Sequence, residues 1–181
     1  MRIYGNRQLK TLSGQNTRPT SARVREALFN IWRGKITDCC WLDLCSGNGS
    51  MGAEALCRGA KEAIAIEQNS KACQIIKQNW QQVATLEQSF RIIKGDVKLR
   101  LKSLQSQKFD LIYFDPPYGC EFYEAVLNDV VTFDLLASEG EIAVEHNSRQ
   151  WQAKPVEKLM INRQKNYGNT TLTFYSWQSC I

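Results

Sequence analysis

The apolar run Phe109-Asp-Leu-Ile-Tyr-Phe114 stops at Asp115-Pro116-Pro117-Tyr118, and this junction constrains the chain more than any other stretch. The run has the length and aromatic content of a parallel strand buried on both faces. Neither proline can donate to a sheet ladder, and each pushes the residue before it toward extended backbone. Asp115 is therefore expected at the carboxyl end of a central strand, followed by a stiff loop that ends in an aromatic ring. In open α/β sheets, that edge is where ligands bind.

Asp115, Pro116 and Tyr118 form a candidate catalytic set for chemistry on a planar exocyclic amine. The lone pair of such a nitrogen is delocalised into its ring, so the nitrogen is a poor nucleophile. Acceptors on both N–H groups would hold it and turn the lone pair toward an electrophile. The Asp115 carboxylate can supply one acceptor and the Pro116 carbonyl the other. Tyr118 offers a flat face for a base, where stacking contributes about 1–3 kcal/mol. Alignment of reactants can supply about 7–11 kcal/mol of a barrier. The plainer alternative makes Asp115 a turn former after a strand.

A second strand–loop–helix unit lies upstream. Cys39 to Cys45 reads as a core strand carrying one acid, Asp43. It leads into Gly47, Gly49 and Gly52, spaced G-x-G-x-x-G, then a helix to about Arg58. Glycines there permit a tight turn and close approach of backbone to ligand. Ala63 to Glu67 is the next strand, and Glu67 lies about 20 residues past Gly47, placed to accept from ribose hydroxyls. This pattern suits a dinucleotide or S-adenosylmethionine. Asp43, just before the loop, fits the cationic amino group of a methionyl moiety better than a pyrophosphate. Asp96, after the strand Phe90 to Lys94, can accept from an adenine amine or cap the following helix, or do both.

Elsewhere the periodicities predict helices over Asn69 to Val83 and Phe122 to Leu136. A strand is predicted over Glu141 to Glu145, and a hairpin from Val156–Ile161 and Thr171–Trp177. Trp80 belongs to the apolar face of its helix. Residues 1–17 suggest a small hairpin or an arm, followed by a helix capped by Thr20 or Ser21 that leaves Arg23 and Arg25 on polar flanks. The domain reading is one catalytic unit over 1–181, with a basic arm and helix at 1–35 and a core at 36–181.

Composition narrows the partners. Net charge is +5, and the first 35 residues carry eight basic side chains against the single acid Glu26. A basic flank beside a neutral core suits a polyanionic substrate, although a merely solvated face would look the same. Seven cysteines without a Cys-x-x-Cys pair favour reduced thiols in the cytoplasm over a disulfide frame. A lone His146 argues against zinc. No apolar run reaches the length of a membrane span. Cys120 has no neighbouring base in sequence and reads as an incidental thiol.

The motifs together resemble the class I S-adenosylmethionine-dependent methyltransferases, and more closely the RsmD family of bacterial 16S rRNA guanine-N2 methyltransferases. The resemblance rests on Arg18-Pro-Thr with Val24-Arg-Glu and Leu28-Phe-Asn30, on Leu42-Asp-Leu with Gly47 and Gly49, on Ile66-Glu67, on Asp115 to Tyr118, and on Tyr167-Gly-Asn-Thr170. It implies a Rossmann-like α/β fold: a seven-stranded, mostly parallel sheet with a C-terminal antiparallel hairpin and helices on both faces. It further implies S-adenosylmethionine as cofactor, bound by Asp43, Gly47, Gly49, Glu67, Asp96 and Asp115. The partner would be 16S rRNA or an assembling small ribosomal subunit, its base held by Asp115 and Tyr118, with no metal and no membrane. Arg18, Arg23 and Arg25 are candidate phosphate contacts of a helix that would lid the cofactor pocket, although a plain amphipathic helix would also carry such charges at solvent positions. The chain departs from the family's usual pattern in its first loop, Cys45-Ser-Gly-Asn-Gly49, and at Asn169. An adenine-N6 methyltransferase could use the same tetrapeptide. A nicotinamide oxidoreductase would explain the glycine loop but not Asp115 to Tyr118, and a non-catalytic RNA-binding module is a weaker reading still, to be excluded by methyl incorporation.

Overall fold

The computed structural model describes residues 1–12, 21–117 and 119–178. A short hairpin, β1 (Arg2–Ile3) and β2 (Arg7–Gln8), precedes helix α1 (Ala22–Ile31). Then follow β3 (Cys40–Leu44), α2 (Ser50–Cys57), β4 (Glu62–Glu67), α3 (Ser70–Val83), β5 (Ser89–Lys94), α4 (Val97–Arg100) and β6 (Phe109–Phe114). The chain ends with α5 (Tyr123–Thr132), β7 (Leu136–His146), β8 (Leu159–Tyr167) and β9 (Thr170–Trp177). Seven strands form one sheet in the order β5-β4-β3-β6-β7-β9-β8. The first five are parallel to their neighbours, whereas β9 runs antiparallel to both β7 and β8.

Helices cover both faces, which is why the central strands read as unbroken apolar runs. Leu28 and Phe29 of α1, Trp32 at its C-cap and Trp80 of α3 pack with Trp41 and Tyr113 on one face. Val126 and Leu127 of α5 pack with Leu42, Leu44, Ile112 and Phe114 on the other. Caps set the starts: Ser21 Oγ accepts from Val24 N at 3.2 Å, and Asn69 Oδ1 accepts from Lys71 N and Ala72 N.

Three expectations need correction. The helix predicted to run to Leu136 ends at Thr132, because Asp134 takes a left-handed φ of 54°. Leu135 and Leu136 keep the apolar pattern going because both are buried, one in the turn and one already in β7. That strand starts at Leu136 rather than Glu141. The penultimate strand begins at Leu159, since Val156 makes only an isolated bridge across the turn at Glu157. It continues to Tyr167 through exposed polar residues, which an edge strand tolerates because one side lacks a neighbour.

Candidate active site at the carboxyl edge

The chain leaves β3 for β4 and β5 on one side, then crosses back to β6 on the other. That reversal opens a crevice at the carboxyl ends of β3, β4 and β6, and the predicted acids gather there. Asp43, the penultimate residue of β3, is 1% exposed. Its Oδ2 accepts from the Gly52 amide at 3.1 Å, and its backbone carbonyl accepts from Ser46 Oγ at 2.7 Å. Burial pushes the Asp43 carboxyl up to about 7, against the Gly52 and Ser46 hydrogen bonds and with a further push from Glu67.

Glu67 ends β4 and ties two loops together. One carboxylate oxygen accepts from Gly47 N at 2.9 Å and the other from Asn69 N at 2.7 Å. The glycine loop is also gripped from behind by α3. Trp80 Nε1 donates to the Gly49 carbonyl at 2.7 Å, and Asn79 Nδ2 donates to the Asn48 carbonyl at 3.0 Å. Gly49 has φ +71°, and a Cβ on Gly52 would lie 2.2 Å from Trp80 Cζ2. The third glycine of the motif thus makes room for an indole. The same Asn79 amide bonds both the N–H and the carbonyl of Lys10, anchoring the stretch after β2 beside the glycine loop. Asn79 is fully buried, yet in sequence it is one polar residue in an amphipathic helix. Only its place beside Trp80 hinted at its role.

Asp115 lies one residue beyond the β3–β6 ladder, whose last pair is Leu44 with Phe114; its amide N is 3.3 Å from the Leu44 carbonyl. The Cys45 thiol marks where the acids converge. Burial raises its pKa well above the ordinary value, and Glu67, Asp115, Cys120 and Asp43 raise it further. Pro116 is buried and Pro117 exposed. Glu145, given no role from the sequence, is the penultimate residue of β7 at 4% exposure and accepts from Tyr113 OH at 2.5 Å. The register of Tyr113 with Ala143 sets it level with Asp115. The available signal was an acid ending an apolar run. Asp96 caps α4, its Oδ1 accepting from Lys98 N at 2.9 Å, at the carboxyl end of β5. Tyr118 and Arg18 lie outside the described residues.

Arg23 is exposed, with its guanidinium carbon 5.9 Å from the centre of the Tyr167 ring. Arg25 is not on a polar flank. It is 6% exposed, paired with Glu54 at 2.6 Å and bonded to the Arg2 carbonyl at 2.7 Å. Glu54 also pairs with Arg58 at 2.8 Å, so the cluster ties α1 and the hairpin to α2, and Arg25 is removed from any substrate surface. Among the described residues, no group of His, Cys, Asp and Glu is placed to hold a metal ion, and no helix is long and apolar enough to cross a membrane. Surface depressions of about 570 and 390 Å³ lie at the opposite, amino edge, and none of the predicted site residues line them.

This arrangement, an acid at each of three adjacent strand ends beside a glycine loop, can hold a ligand with hydroxyls and a cation while presenting a rigid acceptor next to it. The family model described as "Conserved hypothetical protein 95" matches residues 1–176. The YlbH protein of Bacillus subtilis is 31% identical over 173 residues, covering 93% of this chain and 92% of that protein. Ribosomal RNA small subunit methyltransferase D of Escherichia coli is 28% identical over 179 residues, covering 97% and 89%. The solved structure of Escherichia coli yhhF superposes with a TM-score of 0.85 at 28% identity, covering 98% of each chain.

Proposed function

The chain belongs to the family described as conserved hypothetical protein 95, the RsmD-type methyltransferases, and from that premise we propose that it transfers the methyl group of S-adenosylmethionine to the exocyclic N2 of a guanine in 16S rRNA, free or in an assembling small subunit. The observation that carries this reading is the position of Asp115, one residue past the ladder with β3 and beside the glycine loop.

The donor set fits the cofactor. A buried carboxyl at Asp43, held up to about 7 by burial, gains from a cationic amino group brought beside it. Glu67 is fixed by one N–H bond on each carboxylate oxygen, and each oxygen keeps a lone pair that can accept from a ribose hydroxyl. Asp96 keeps a second carboxylate oxygen for an adenine amine while its first caps α4. Gly47 and Gly49 let the backbone approach. Bound there, the cofactor supplies an activated methyl group on a sulfonium.

The chain's own work is positioning. Asp115 and the Pro116 carbonyl take the two N–H groups of the base amine, and Tyr118 stacks on the ring. The base is unpaired or flipped before it enters, because a stacked base is out of reach. No strong base is required, since the methylated ammonium is acidic enough to lose its proton unaided.

The test is incorporation of labelled methyl from S-adenosylmethionine into rRNA, with mass-spectrometric mapping of the product. N2-methylguanine is expected. Label on adenine N6 would replace the substrate assignment, and no incorporation into RNA of either form would end the proposal.

A further inference from the structure

Because β9 runs antiparallel to β7, with His146 paired to Thr171, the β8–β9 turn at Gly168 and Asn169 returns to the carboxyl edge that carries Asp115. The end of β8 therefore lies on the same edge as the candidate site. Arg163, Lys165 and Tyr167 pair with Phe174, Leu172 and Thr170, and paired residues of an antiparallel ladder share a face. Phe174 and Leu172 belong to the core under α1, so the three β8 residues line that face too.

Arg163 and Lys165 are exposed on the sheet's outermost strand. Arg163 lies over Phe174, its guanidinium carbon 6.0 Å from the ring centre, and Arg23 of α1 lies over Tyr167. Neither β8 nor β9 contains an acid, and Glu26 is the one carboxylate in α1. The result is a row of positive charge running along the edge strand and ending at an arginine–tyrosine pair on the same carboxyl edge as Asp115, with β7 and β9 between them. Alternate residues on a strand stand about 6.6 Å apart, so Arg163 and Lys165 present two separate cations to a polyanion lying along β8.

We infer that the α1-side face of β8 is the track for a single-stranded RNA segment flanking the target base, with Arg163 and Lys165 meeting phosphates and the Arg23–Tyr167 pair closing the track at the carboxyl edge. This inference rests on the proposed RNA substrate and adds the direction of approach: the strand enters from the hairpin side, not from the β4–β5 side. Tyr167 stands at the mouth, packed against the core with its ring covered by Arg23. Arg23, held over that ring by a cation–π contact, keeps its remaining N–H donors for phosphate.

The experiment compares wild type, the double variant Arg163→Gln/Lys165→Gln, and a control, Lys61→Gln/Lys102→Gln, whose exposed lysines lie off the track. Affinity for a single-stranded rRNA fragment is measured by fluorescence anisotropy across a salt series, with S-adenosylhomocysteine affinity and steady-state kinetics alongside. Each phosphate contact contributes about 0.7 to the slope of log affinity against log salt. The track variant is therefore expected to lose about 1.4 of slope. Its KM for RNA should rise with kcat and S-adenosylhomocysteine affinity unchanged, and the control should stay near wild type. Equal losses in the two variants, or an unchanged slope in the track variant, would overturn the track. Absence of RNA methylation by wild type would instead strike the proposed function, so the two failures are distinguishable.

Discussion

The two sides of the carboxyl edge are made rigid by different means. Around β3 and β4 the glycine loop is held by tertiary contacts: Glu67 takes the Gly47 amide, Asn79 and Trp80 take the carbonyls of Asn48 and Gly49, and the indole fills the space that Gly52 leaves. Around β6 the loop after Asp115 is stiffened by covalent constraint, with two prolines in succession and Pro117 open to solvent. The first kind of rigidity depends on side chains brought from two elements, β4 and α3, so damage to it should reach folding and ligand binding together. The second is local, so a change at Asp115 should reach turnover alone.

The largest expected effect breaks the comparison on the β6 side. Asp115→Ala should lower kcat by at least about a thousandfold, about 4 kcal/mol of barrier, with S-adenosylhomocysteine affinity within about threefold of wild type and Tm little changed. A parallel collapse of Tm or cofactor affinity would show that the two sides are not independent. Gly52→Ala tests the other side. Trp80 cannot easily retreat, because its Nε1 is bonded to Gly49 and its ring meets Phe90 edge-on at 5.8 Å. Overpacking of this kind costs about 1–3 kcal/mol, and a fall in Tm of up to about 10 °C by calorimetry should come with weakened cofactor binding. A stable variant that binds normally would mean the loop is not set by the indole.

A smaller effect sharpens the contrast through pH. The folded protein keeps a proton on Asp43 up to about 7, whereas its ordinary carboxyl value is 3.8. This group's contribution to stability is therefore full below the ordinary value and is lost as pH rises toward 7. A cationic ligand prefers the ionised form, so the sign reverses for binding: cofactor affinity should rise with pH up to about 7, approaching tenfold per unit, and then level off. Titration calorimetry across this range should show proton release, and Asp43→Asn should flatten the profile. A flat wild-type profile would remove Asp43 from contact with the amino group.

Much of this was legible along the chain because the signals are local. An apolar run that ends in Asp-Pro-Pro has few conformations open to it, and glycines spaced after a strand and before a helix announce a close-packed turn. Strands β3 to β6 followed from period, and the start of α1 at Thr20 or Ser21 from capping chemistry, whereas the cap at Asn69 came from the structure. The edge strand did not, because solvent on one side erases the alternation that period detection reads; its length had to come from pairing with β9. Arg25 failed for a related reason. A helical wheel assigns charge to solvent, and only the approach of Glu54 from α2 makes burial of that guanidinium tolerable. The sequence by itself determined the order of elements, the acids at the strand ends and the stiffness of the Asp115 loop, all properties of neighbours in the chain. The tertiary structure decided which partners meet across dozens of residues: Asn79 with Lys10 and Asn48, Trp80 beneath Gly52, Tyr167 beside Arg23. Such contacts depend on how helices and strands pack in space, and no local pattern encodes that.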